Sequence, residues 1–386
     1  MTPFDEDDAG GDLRALMLAV EVPDSGADVQ RAITTGRRAR RRTAVMSAAT
    51  AVVVFAAVGT FVAFGPMRAG PPDAPAASAT PAAPLDAAAI CSPAALDLPP
   101  GSADASTTTI DPAGRIVGGY ADEQQPKPVV WRDGRPEVVP GVTGVVTDVA
   151  SDGTVVGFAV SDQHNAVGWV VRGGKATNLA VPPGYQFATP MAINANGMIV
   201  GAVSTAAAES SVPAAWSVDG AVHLLTVPSG VGDASKASTA RDVADDGTVV
   251  GEVHGFAMMW RPDGTPHVLP AAPNGYGGQA MGIAGHYAYG VSSYAAVRWD
   301  LRTDEVAVMR LEGVTNVRAG TASGLALITG DGLGRTVLQA EDGSSIHLNG
   351  PNNEFASAAA VSGDGSTIAG TFVVGDVNHP VVWHCG

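Results

Sequence analysis

Four aspartates are the candidates for acid–base chemistry in the body of this 386-residue chain: Asp111, Asp148, Asp242 and Asp364. Two such carboxylates facing each other across a pocket, roughly 5–10 Å apart, are the requirement for glycoside hydrolysis. All four, however, fall near inner strands at positions that look like repeat positions, and repetition favours structure over catalysis. The eight histidines (His164, His223, His254, His267, His286, His347, His379 and His384) do not recur at one repeat position, and no two have metal-ligand spacing. Asp245-Asp246-Gly247 lacks the further oxygen ligands of a calcium loop. Ser362-Gly-Asp364-Gly365 resembles an Asp box, but Thr367 is followed by Ile368 instead of Trp. Turn chemistry accounts for both stretches. There is no nucleophile elbow, zinc-protease motif, phosphate-binding Gly loop or Cys-x-x-Cys. The sequence therefore assigns no catalytic residue, metal ligand or cofactor.

The elements that position these residues are written as a repeat. Residues 189–220 show it best: strand, Asn-Gly turn, strand ending in Gly, loop, strand carrying Trp, Asp-Gly turn. The closing glycines are Gly118, Gly157, Gly201, Gly251, Gly290, Gly330 and Gly370, spaced 39, 44, 50, 39, 40 and 40 residues apart. All six tryptophans, Trp131, Trp169, Trp216, Trp260, Trp299 and Trp383, share one position after them, and the sixth repeat has Gln339 there. Each unit reads as four short strands. Its Asp-Gly and Asn-Gly pairs supply the positive φ of tight hairpins. A lone four-stranded sheet cannot bury both faces, so the sheets must stack, with Trp filling the space between neighbours. A period near 40 with four strands predicts an all-β, seven-bladed β-propeller over 91–386.

The two cysteines bear on closure. The seventh repeat reaches Cys385 without an outer strand, while Leu96-Asp-Leu98-Pro99, ahead of the first repeat, resembles Val138-Val139-Pro140. Aligning Leu98-Pro99 on Val139-Pro140 puts Cys91 level with Arg132, beside the missing hairpin turn. A Cys91–Cys385 disulfide closing the ring with an N-terminal outer strand is the expectation. Two unpaired thiols, or a metal pair with His384, are the rivals.

The units resemble HAF repeats of bacterial extracellular proteins. Met191-Ala-Ile-Asn-Ala-Asn-Gly-Met-Ile-Val-Gly201 with Ala214-Ala-Trp216 matches that pattern best. Asp148–Gly157 and Asp242–Gly251 match it well, and the fifth and sixth repeats depart from it. The resemblance implies an extracellular structural repeat and brings no catalytic residues.

The N-terminal region predicts a location. Residues 44–65 are 22 uncharged residues preceded by Arg37, Arg38, Arg40, Arg41 and Arg42. At 1.5 Å per residue, that length crosses a bilayer core of roughly 30 Å. The arginines place residues 1–43 in the cytoplasm as a short tail, with the body outside. A cleaved signal peptide would call for a shorter apolar run and a small-x-small site directly after it. Residues 66–90, rich in Pro and Ala, read as an extended spacer.

The net charge is -16, nearly all of it on the body. That argues against nucleic acid as a broad-surface partner, since such surfaces need clustered Lys and Arg. The longest loops fall between second and third strands and between blades. They carry His164, Tyr185, Phe187 and Tyr276, able to stack on a sugar or a partner side chain. The expectation is a single-pass, membrane-anchored binding module at the cell surface, with an unknown protein or glycan partner. The alternatives are a polysaccharide hydrolase or lyase, or a single-pass sensor.

Overall fold

Tight turns set the hairpins. Asp133 and Gly134 both have positive φ, 50° and 76°, the pair that a two-residue turn demands. At four other Asp-Gly turns the Asp carboxylate caps the turn from within. Asp152, Asp246, Asp263 and Asp342 each accept the amide two residues on, at 2.7, 2.8, 2.9 and 2.9 Å. In the computed structural model the described residues are 90–386, apart from 161–165, 206–210, 233–236, 274, 294, 310–313 and 331–335. They form β-strands, turns and loops, with no helix among them. The expected tail, apolar span and spacer lie outside the described residues.

Each repeat is an antiparallel meander running from an inner strand to an outer one. The first runs from Ala105–Ile110 to Arg135–Val138, and the second from Val145–Val149 to Lys175–Asn178. The third runs from Phe187–Ile193 to Val222–Leu224, and it joins the second in one eight-stranded sheet through the parallel contact of Ala188 with Val167. The fourth spans Ser238–Val243 to Pro266–Val268, the fifth Gln279–Ala284 to Glu305–Val308, and the sixth Val314–Gly320 to Ser345–Leu348. The last comprises Ala356–Val361, Thr367–Val374 and Val377–Cys385, and its outer strand is Cys91–Ala95 from the other end of the body. The second strand of each meander packs on the inner strand of the next, and Thr367–Val374 packs on Ala105–Ile110. The succession therefore returns to its start.

The closing strand lies two residues earlier than the sequence alignment placed it. Leu96 N–H donates to Pro380 O, as Val139 N–H donates to Pro128 O in the first meander, so Leu96 and not Leu98 matches Val139. A slip of two keeps every side chain on its face, so an alternating apolar pattern cannot reveal it. The correct register sets Cys91 directly opposite Cys385, and the two are joined as a disulfide with a Cα–Cα distance of 4.1 Å.

The core lies between sheets. Each cluster of buried residues joins consecutive meanders, and Trp131, Trp169, Trp216, Trp260, Trp299 and Trp383 each pack on the meander before their own. Each indole N–H donates to a carbonyl just past the preceding outer strand: Asp97, Thr143, Ala180, Thr226, Pro270 and Asn349, at 2.7–3.0 Å. One residue type thus fills the seam and satisfies its own donor.

Glycine recurs because the inner strand bulges. In the second, third, fourth and fifth meanders a Cβ on Gly157, Gly201, Gly251 or Gly290 would be driven into the inner-strand carbonyl of Val145, Thr189, Thr239 or Gln279. Gly370 meets Ser357 O in the same way, at 2.6 Å. In the first meander this place belongs to Gly119, not Gly118, because the turn before it is one residue longer. Gly119 would strike Ser106 O, whereas Gly118 faces the Thr109 and Val146 side chains at 2.7 Å. In the sixth the place is held by Ile328, opposite Val317, and Gly330 lies two residues beyond, opposite Val314. That inner strand carries a second register shift, between Val314 and Asn316.

The sixth repeat also lacks Trp, and its neighbour compensates. Tyr289 of the fifth meander is fully buried in that seam, and its hydroxyl donates to Thr321 O at 2.6 Å. Gly320 leaves room for the ring, which a Cβ there would penetrate.

Candidate functional site

The inner-strand bulges bring the polar groups together. Each bulge presents two successive residues: Thr108-Thr109, Thr147-Asp148, Met191-Ala192, Arg241-Asp242, Met281-Gly282, Arg318-Ala319 and Ala359-Ala360. Two of these pairs carry a carboxylate, and two an arginine.

Asp148 bridges three meanders. Its Oδ1 accepts the Thr109 hydroxyl of the first meander at 2.7 Å and its neighbour's amide, Val149 N–H, at 2.8 Å. Its Oδ2 accepts Ile193 N–H of the third at 2.8 Å. Asp242 repeats the arrangement, accepting Val243 N–H and, from the fifth meander, Ile283 N–H, both at 2.8 Å. It has no hydroxyl partner equivalent to Thr109. Both carboxylates are ringed by protein while keeping partial contact with solvent. Burial pushes Asp148 up to about 6, although its three donors favour the charged form. Burial, then the nearby charge of Asp148, pushes Asp242 up to about 7. Sequence position alone did not reveal that these two aspartates, two repeats apart, sense each other.

Asp111 and Asp364 are spent on their own turns, although the charge of Asp111 also helps to raise Asp148. Asp111 is fully buried and caps its own turn, accepting Arg115 and Ile116 N–H at 2.6 and 2.7 Å. Asp364 accepts Ser366 N–H and the hydroxyls of Ser362 and Ser366 within 2.9 Å. In Asp148, by contrast, both oxygens are engaged in joining meanders. The arrangement is that of inter-sheet staples.

Arg241 and Arg318 are the residues that sequence reasoning missed. Arg241 pairs with Glu252 at 2.6 Å, both side chains more than nine-tenths buried. The signal was available: aligning the repeats at the residue before Asp148 shows Arg twice in a column otherwise held by Thr, Met and Ala. Arg318 is exposed to solvent, and burial by surrounding protein and the charge of Arg241 both lower its pKa.

The loop residues are scattered in environment. His164 lies outside the described residues. Tyr185 packs half-buried against the core between the second and third meanders, and its N–H donates to Pro182 O at 3.1 Å. Phe187 opens the inner strand Phe187–Ile193, opposite Ser204. Tyr276 alone of the described three projects, at 77% exposure. Its backbone is clamped by Ser293, whose Oγ accepts Tyr276 N–H at 2.5 Å and donates to Tyr276 O at 2.7 Å. Among the described residues no group of three His, Cys, Asp or Glu could hold a metal ion. His267 meets Asp304 at 2.9 Å and His254 Nδ1 lies 2.8 Å from Val231 O.

These features define an all-β protein of propeller-like architecture with a covalently closed terminal sheet. No family profile matches the chain, and no curated protein matches it. Among solved structures, it is similar to a streptogramin B lyase, with 14% identity over 77% of this chain and 98% of that one, TM-score 0.48. It is similar to a chain of the mitotic checkpoint complex, with 13% identity over 85% and 99%, TM-score 0.49. It is also similar to the extracellular domain of a one-component system from B. thetaiotaomicron, with 9% identity over 75% and 39%, TM-score 0.47. At such scores the architecture stands on the strand pairing itself.

Proposed function

We propose that this chain is a membrane-anchored, extracytoplasmic, seven-bladed β-propeller that binds a protein or glycan partner and carries out no chemistry. One observation carries the binding reading: the carboxylates Asp148 and Asp242 spend their oxygens on backbone and hydroxyl donors of their own and adjoining meanders. The seam-by-seam succession of meanders supports the blade count, and the disulfide suits an oxidising compartment. Residues 44–65 supply the anchor, 1–43 the cytoplasmic tail and 66–90 the spacer.

The binding face is the one where inter-blade loops meet loops joining second and third strands, with Tyr276 as its projecting aromatic. Photo-crosslinking on intact cells, with probes at Tyr276, Tyr185 and His164, tests this. A specific protein or glycan adduct at Tyr276 is expected. Labelling no different from that of a probe at the turn residue Gly220, remote from this face, would refute it.

A further inference from the structure

We propose that Arg241 and Arg318, on the inner strands of the fourth and sixth meanders, form a binding site for a small oxyanion, a ligand bearing a carboxylate or a phosphate. Arg241 gives one nitrogen to Glu252, while its Nε is buried with no hydrogen-bond partner. Arg318 makes no hydrogen bond or ion pair among the described residues, and solvent reaches it. Between the two strands stands Gly282, where a Cβ would lie 3.6 Å from Asp242 Oδ2 and from Ala319 Cα, and 3.7 Å from Arg318 O. Three inner strands therefore converge on a position without a side chain.

Charge bookkeeping favours an anion here. Two guanidinium groups are held near enough to repel, and the Glu252 carboxylate offsets one of them. Asp242, whose Oδ2 faces the same glycine, is only partly ionised at neutral pH because burial and the charge of Asp148 push it up to about 7. Like charges brought together in partly desolvated surroundings are costly, and a shared anion relieves that cost. The planar fork of Arg suits carboxylate and phosphate oxygens in paired hydrogen bonds. This site is separate from the loop face around Tyr276 and does not depend on it.

The test uses the full chain in detergent, titrated with inorganic phosphate and separately with citrate, at constant ionic strength set by chloride. Saturable binding of at least one, with a rise in Tm, is expected for the wild type. Arg318→Gln should weaken that binding about tenfold or more. In anion-free buffer the same variant should melt at or above the wild-type temperature, because it removes a repulsion. Absence of saturable binding by both anions would overturn the proposal, as would a smaller loss in R318Q. A lower melting temperature for R318Q would mean that the guanidinium already has a structural partner, and would overturn it too.

Discussion

Removing the disulfide should weaken the whole ring, not fray one edge. Cys91 and Cys385 are 294 residues apart in sequence, so the bond closes nearly the entire described chain. On the chain-entropy model a loop of this size restricts the denatured state by about 5–6 kcal/mol, an upper value because denatured chains retain structure. The folded state loses little directly. Five residue pairs, from Cys91↔Cys385 to Ala95↔Val381, still hold the outer strand, and Leu96 and Leu98 still pack beside Trp131. The expected outcome for a Cys91→Ser/Cys385→Ser double variant is a folded protein destabilised by about 2–5 kcal/mol. Urea unfolding followed by tryptophan fluorescence is the assay, since all six indoles are buried at the seams. Their signals should shift together in one transition if the ring is cooperative. A loss below about 1 kcal/mol would refute the reasoning that the crosslink constrains the unfolded chain. A separate early transition confined to Trp131 and Trp383 would refute the cooperative ring.

Further outcomes are expected at the seams. Asp148 and Asp242 have folded-state pKa values raised to about 6 and about 7 by burial, so the native state holds their protons more tightly than the unfolded chain does. Their contribution to stability is full below the unfolded carboxylate pKa and is lost as pH rises through about 6 and 7. Urea titrations at pH 4.5 and 7.5 should show that loss, on the order of 2–4 kcal/mol, and Asp242→Asn should flatten it; an unchanged slope in D242N would contradict the assignment. Gly251→Ala forces a Cβ against Thr239 O and should cost about 1–3 kcal/mol or more. Gly220→Ala, with a φ of 88° and open space around it, should cost only about 1 kcal/mol, and equal melting temperatures for the two would refute the bulge explanation.

The repeat was legible because its signals are local. Period-2 strands, positive-φ turn glycines such as Gly134 and Gly153, and a Trp in every unit but the sixth mark elements without reference to anything distant. The same locality explains the sequence reading's errors. Gly118 and Gly330 sit at or near the expected spacing, but the glycine place is defined by a carbonyl on another strand, so Gly119 and Ile328 hold it. The register of the outer strand is not legible in the pattern, because a two-residue slip leaves the apolar face unchanged.

Strand order, turn chemistry, the pairing of Cys91 with Cys385 and the need to stack sheets were thus determined by the sequence itself. Tertiary structure alone decided what happens between sheets. It put Tyr289 where the sixth repeat lacks its Trp, with Gly320 making room. It brought the charge of Asp148 to bear on Asp242, and that of Arg241 on Arg318. Those residues hold equivalent places in different repeats and are separated by dozens of positions in the chain. Their proximity comes from a ring that brings inner strands together, and only there do burial and charge act on them jointly.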